Sequence, residues 1–222
     1  MRVVLDAERA HQAIFEDEDF QFVVERASQG KAMLQFVGAA IRRYDGLQDV
    51  VHGKAGGDQN MEAYANSYLR DGRSRSTGVD LARRFARLYE RFDAGNVRGC
   101  LIEAMVEARL RVRYAGTQLE NNVFVEVTNG VRYRTSTSAD VVGHDGQRGE
   151  CHDCKARARN VEMPWIVELV TELTPHEFRI GVATADSAPA ASHEMSSTAR
   201  MPHAVVVTGP ESWWDGLPLW SV

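Results

Sequence analysis

The sequence predicts an α/β protein, with a helical first half followed by a mixed β-sheet flanked by helices. Three observations carry this expectation. The first hundred residues show helical punctuation and almost no period-two alternation. An Asn129-Gly130 pair stands between two β-branched runs, a strong hairpin signal. Beyond it, strand-like and helix-like segments alternate to the end.

Helices are expected over 7–14, over 20–44 in one or two pieces, over 61–69 and over 80–92. In the last of these Leu81, Phe85, Leu88 and Phe92 line one face, while Arg83, Arg87 and Arg91 repeat at four on another. Thr77 and Asp80 have capping-box spacing, and Gly95 closes the segment. The glycine-rich stretch 53–57 reads as a loop and lacks the spacing and terminal Ser or Thr of a P-loop. A new helix starts near Gly99, with Leu101, Met105, Ala108 and Val112 on one face, and the chain turns at Gly116. Strands are expected at 123–127 and 131–135, then at 139–143 and 150–156, the last two joined by a His144-Asp145-Gly146 turn. An amphipathic helix follows, in which Trp165, Ile166, Leu169, Val170 and Leu173 share a face and Pro164 fits the first turn. Two buried strands at 178–183 and 204–208 are separated by a helix or loop through 187–200. The expected division is a helical region over 1–95 and a mixed domain over 96–222.

Composition excludes several classes. With 222 residues, 44% apolar and 26% charged, the chain has the balance of a globular protein. Its net charge of -5 excludes a polycation that coats nucleic acid by bulk charge, so any such contact has to come from local patches. No run approaches the ~18 apolar residues of a membrane span, and the first residues lack the order of a secretory signal. The expectation is a cytoplasmic protein with no membrane partner. Cys100, Cys151 and Cys154 are too few and too oddly placed for a disulfide framework, so reduced thiols are expected.

The chemistry concentrates around Gly149-Glu150-Cys151-His152-Asp153-Cys154-Lys155. On a strand, Asp153 and Lys155 share one face. Asp140 opens the preceding strand among apolar neighbours, where an isolated carboxylate is costly unless it pairs, hydrogen-bonds or ligates a cation. Two carboxylates on adjacent strands with a lysine two residues beyond the second suit Mg²⁺, or Mn²⁺, which takes one or two protein carboxylates plus waters and phosphate oxygens. Phosphodiester hydrolysis is the matching reaction, with Lys155 orienting or helping to deprotonate the attacking water. Glu103 on the helix from Gly99 is a candidate further ligand.

Glu103 on a helix, then a hairpin, Ser138-Ala139-Asp140, and Asp153-Cys154-Lys155 together resemble the PD-(D/E)XK nuclease superfamily over about residues 99–210. The resemblance implies a restriction-endonuclease-like sheet, Asp140 and Asp153 as metal ligands, Lys155 as the water-activating lysine and Glu103 as an auxiliary ligand. Ala139 stands where the family name has Pro, a position tolerant in that family. A metal-dependent nuclease acting on DNA first of all, in restriction, phage defence or repair, is what the resemblance implies. A homodimer or a protein partner is expected where both strands are cut. The alternative is a non-catalytic nucleic-acid- or protein-binding module of such a complex.

Arg157 and Arg159 are candidate phosphate contacts, with a solvated face as their rival reading. The 73–76 loop and the Arg83 stripe are weaker candidates of the same kind. For Asp140, Asp153 and Lys155 the rival is a structural ion pair, and for Glu103 an ordinary surface glutamate. A zinc site built on Cys151 and Cys154 with His144 and His152 meets a geometric objection, because residues three apart on a strand project to opposite faces. The aromatic tail 213–220 reads as packing over a sheet edge or at a dimer contact.

Overall fold

The computed structural model describes residues 2–7, 11–42, 59, 63, 66–67, 74–114, 120–129, 131–198 and 200–213. Two compact units result. One is His11–Leu101; the other joins Met1–Ala10 to Ile102–Val222. The expected helices at 61–69 and the loop at 53–57 lie almost wholly outside the described residues.

Within the helical unit, α1 (Gln12–Phe15), α2 (Glu18–Ala27), α3 (Lys31–Arg42) and α4 (Ser74–Arg91) precede the start of α5 (Ala94–Arg113). Asp17 caps α2 by accepting from the backbone N–H groups of Asp19 and Phe20. The expected helix over 20–44 is two pieces, broken at Ser28-Gln29-Gly30. Thr77 lies inside α4 instead of capping it, and Gly95 lies inside α5 instead of ending α4. Leu81, Phe85 and Leu88 are buried as their spacing predicts. The arginine stripe is not a solvated track. Arg84, Arg87 and Arg91 converge on Asp19 of α2, at 2.9, 2.6 and 2.9 Å, and Arg91 also meets Asp17 at 2.8 Å. The Arg87 hydrogen bond, against the opposing effect of burial and with help from Arg91, holds the Asp19 carboxyl far below the usual range. Arg83, Arg87 and Arg91 are all exposed, and Arg87 and Arg91 reach back to these carboxylates. Ser74–Ser76 begin α4, and Arg73 lies outside the described residues.

The second unit is a seven-stranded mixed sheet in the order β1-β2-β4-β5-β6-β7, with β3 also paired to β2. The strands are β1 (Arg2–Ala7), β2 (Glu120–Asn129), β3 (Val131–Arg134), β4 (Ala139–His144), β5 (Gly149–Lys155), β6 (Phe178–Thr184) and β7 (Val205–Thr208). The strand β1 departs from the helical expectation for the first half. Its Val-Val-Leu run pairs antiparallel with β2, Arg2 opposite Thr128 and Ala7 opposite Val123. The hairpin forms where Asn129-Gly130 predicts it, with Asn129 opposite Val131. The β4–β5 turn uses Gly146 at φ 88°, and the Asp145 carboxylate accepts from the backbone N–H groups of Gln147 and Arg148 at 2.9 Å each.

Strands β4 and β5 are antiparallel, whereas β5–β6 and β6–β7 are parallel. Each parallel step needs a crossover. Helices α6 (Met163–Leu173) and α7 (Ala188–Thr198) supply them. Met163, Ile166, Leu169 and Leu173 of α6 join Cys151, Ile180 and Val182 in one core, so α6 covers the sheet face that carries the odd-numbered residues of β5. The final short helix α8 (Pro210–Trp213) ends on fully buried Trp213, whose indole N–H donates to Thr208 Oγ1 at 3.3 Å. The rest of the aromatic tail lies outside the described residues.

On the opposite face His152 lies across its β6 partner Gly181. A Cβ at Gly181 would stand 2.4 Å from His152 Nδ1 and 2.5 Å from Cε1. Gly181→Ala is therefore expected to destabilise the protein by about 1–3 kcal/mol, the cost of overpacking a filled core. Urea denaturation followed by circular dichroism checks this, and an unchanged midpoint would contradict it.

Candidate metal and phosphate site

The β4–β5 register sets Val141 opposite His152 and Val142 opposite Cys151, and its continuation sets Asp140 opposite Asp153. Both carboxylates and Lys155 point to the α6 face by the two-residue period. Lys155 Nζ lies 3.0 Å from Asp140 Oδ2 and 2.8 Å from Asp153 Oδ1, bridging the two strands. The backbone N–H of Cys154 also donates to Asp140 Oδ2 at 2.7 Å, which fixes that carboxylate at the mouth of β5. Lys155 is the last residue of β5, so the trio sits at the carboxyl end of the parallel strands, where open α/β sheets bind ligands.

Asp153 is 7% exposed, and its second oxygen, Oδ2, is buried without a hydrogen-bond partner among the described residues. Burial first, and the Asp140 charge second, push its carboxyl up to about 6 against the pull of Lys155. Burial opposes the Lys155 ammonium too, but Asp153 and Asp140 outweigh it and raise Lys155 above its ordinary value. Two crowded carboxylates and an orphaned anionic oxygen form a donor set suited to a hard divalent cation. Asp140 and Asp153 fit that role.

The sign of the Asp153 shift gives a stability prediction. Its folded value of about 6 exceeds the ordinary 3.8, so the folded chain holds this proton more tightly and loses stability as pH rises from about 4 to about 6. Asp153→Asn is expected to remove that decline and to stabilise the metal-free protein at pH 7 by on the order of 1–3 kcal/mol. Thermal melts of both chains at pH 4, 6 and 7 in chelator make the comparison; parallel pH curves would refute it.

The even-numbered residues of β5 face the other way, toward α5. Glu150 and His152 are fully buried. Arg113 Nη1 pairs with Glu150 Oε1, Tyr114 donates to the same oxygen at 3.1 Å, and His152 Nε2 lies 3.3 Å from Glu150 Oε2. Burial works against the Glu150 charge, but His152 and Arg113 overcome it and hold the carboxyl below its ordinary value. Sequence reasoning missed this cluster. The signal was present, since Glu150, His152 and Cys154 share a face by spacing alone.

Glu103 is half-buried on α5, eleven residues before Tyr114 and on the same helical face. Arg113 lies ten residues beyond Glu103, about 15 Å along a helix, and Glu150 lies four residues before Cys154, about 13 Å along a strand. Glu103 thus comes level with Cys154, and its charge, with those of Asp140 and Asp153, adds to burial in raising the Cys154 thiol. It approaches from the face opposite Asp153. Among the described residues no three His, Cys, Asp or Glu side chains gather as a metal-binding group, so Glu103 does not stand in one cluster with Asp140 and Asp153. Its neighbour one turn on, Glu107, is buried and paired with Arg111. The cysteines are buried and form no disulfide among the described residues, Cys151 lying in the α6-side core and Cys154 on the other face. His144 serves the β4–β5 turn, where its Nδ1 accepts from the Gly146 N–H at 3.2 Å.

Beyond Lys155 the chain makes a 3₁₀ turn, Ala158–Asn160. Asp186, just past β6, accepts from the Ala158 N–H at 3.0 Å and pairs with Arg157 at 3.2 Å. Arg157, Arg159, Asp186, Ala190 and Glu194 line a cleft of about 280 Å³. Asp186 and Glu194 are further residues that the sequence did not single out.

No protein-family model matches the chain, and no curated protein does. Among solved structures, protein VC1899 from Vibrio cholerae is similar at a TM-score of 0.45 and 11% identity, over 96% of this chain and 56% of that one. The chain thus spans little more than half the length of that structure, and neither family nor activity follows from the match. No described helix is long and apolar enough to cross a membrane.

Proposed function

We propose that the protein is a metal-dependent nuclease of the restriction-endonuclease-like kind, hydrolysing phosphodiester bonds with DNA as its first substrate. One observation carries the reading: Asp140 and Asp153 oppose each other on neighbouring strands, Lys155 bridges them, and Asp153 Oδ2 is buried without a partner among the described residues. Asp140 and Asp153 would hold Mg²⁺ or Mn²⁺. When bound, the ion supplies positive charge to the scissile phosphate.

The chain's own residues do the rest. Lys155, kept as an ammonium by its two carboxylates, donates hydrogen bonds, and this supports a role in orienting the attacking water and countering phosphate charge more than in taking a proton. The Cys154 N–H stops Asp140 from turning away, and the α6 core keeps the floor of the site dry. A second reading, a non-catalytic binding module, is favoured by the closed Lys155 bridge, which engages one oxygen of each carboxylate as a structural ion pair would.

Incubation with linear, circular and single-stranded DNA and with RNA, in Mg²⁺ or Mn²⁺ and in chelator, separates the two. The nuclease reading expects metal-dependent cleavage that disappears in Asp153→Ala. Equal cleavage by native and substituted chains, or none with any substrate, would refute it.

A further inference from the structure

The cleft past Lys155 carries opposite charges in equal number, and this limits what it binds. Arg157 and Arg159 bring two cations; Asp186 and Glu194 bring two carboxylates. Such a lining exerts little long-range pull on a polyanion and works through short contacts. Its volume of about 280 Å³ is that of one small group and not of a duplex. Arg157 is anchored by Asp186, which is itself tied to the backbone of the turn, so one wall is fixed in place. Glu194 and Ala190 belong to α7, and the small Ala190 side chain leaves room between the arginines and the Glu194 carboxylate.

We propose that this cleft seats one nucleotide flanking the scissile phosphate, its phosphate on Arg157 and Arg159 and the exocyclic amine of its base on Glu194. The inference rests on the nuclease reading of Asp140, Asp153 and Lys155. Two features of the ligand follow from the lining. It carries an anion, which the guanidiniums bind as a fork. It also carries an N–H₂ donor, because a carboxylate accepts from cytosine N4 or adenine N6 and finds no such donor on thymine or uracil, whose corresponding position is a carbonyl. Arg157 lies two residues past Lys155, so the turn that lines the cleft follows directly on the strand end that carries Lys155.

Binding of fluorescein-labelled (dC)₈, (dA)₈ and (dT)₈ by anisotropy, in chelator and at low salt, tests the subsite without cleavage. The native chain is expected to bind (dC)₈ and (dA)₈ roughly 10-fold more tightly than (dT)₈, the lower end of the discrimination a placed base contact gives. Glu194→Ala is expected to erase most of that difference, whereas Arg159→Ala weakens all three oligonucleotides about equally. Equal binding of the three by the native chain, or a preference that survives Glu194→Ala, would overturn the subsite. Cleavage then separates the two claims: a native chain that cuts but shows no base preference sinks the subsite and leaves the nuclease standing. A base preference without cleavage keeps the binding cleft and sinks the nuclease.

Discussion

Alanine at Lys155 is expected to slow single-turnover cleavage of duplex DNA in Mg²⁺ by about 10³-fold or more, the range lost when a positioned proton-handling or charge-stabilising group is removed. The reason is the double contact. Lys155 lies within 3.0 Å of both carboxylates, so its loss removes a donor and also releases two crowded anions to repel each other across β4 and β5. Asp153→Ala is expected to fall to a similar floor. The double substitution should cost little more than either single one, because groups acting as a unit are not additive. Substrate affinity is expected to change far less than the rate, since neither side chain lies in the cleft past β5. Rates for the four chains decide this, and a Lys155→Ala chain that cuts at the native rate would end the hydrolytic reading.

Loss of the Arg113 guanidinium is expected to destabilise the protein by about 3–5 kcal/mol, the cost of leaving a buried charge without its partner. Glu150 is fully buried, and in Arg113→Ala it would keep, among the described residues, the Tyr114 hydroxyl and His152. The folded state then either carries an unpaired carboxylate or takes up a proton there, so the deficit should shrink as pH falls toward 5. Arg148→Ala serves as the control. That arginine faces Asp145 at 3.6 Å with both side chains about half exposed, an arrangement that contributes nothing measurable in many proteins. Chemical denaturation at pH 5 and pH 8 reads both effects. Equal stability of Arg113→Ala and Arg148→Ala would refute the asymmetry.

Much of the sheet was legible because its signals are local. Period two placed Asp153 with Lys155, the Asn-Gly pair placed the β2–β3 hairpin, and Asp145-Gly146 placed the turn that brings Asp140 opposite Asp153. What stayed hidden depends on distant partners. The α4 arginines look like a solvated stripe until Asp19, more than sixty residues earlier, is seen among them. Glu150 shows its role only when Arg113 and Tyr114 at the end of α5 reach it. Glu103 was correctly placed on a helix, but helical periodicity does not say which side of a sheet that helix covers. β1 was missed because six residues with one short apolar run look like a helix start until a partner strand shows otherwise.

That first strand bears on how the chain comes into being. Arg2 finds its partner at Thr128, so β1 is made before β2 and satisfied late, after the whole of His11–Leu101 has been synthesised. On the ribosome, the helical unit is complete in sequence while the leading strand still lacks a neighbour, and closing so long a loop is an entropic cost met only when β2 emerges. β1 precedes its partner by more than a hundred residues of chain, so it is held in the sheet only after β2 has been made.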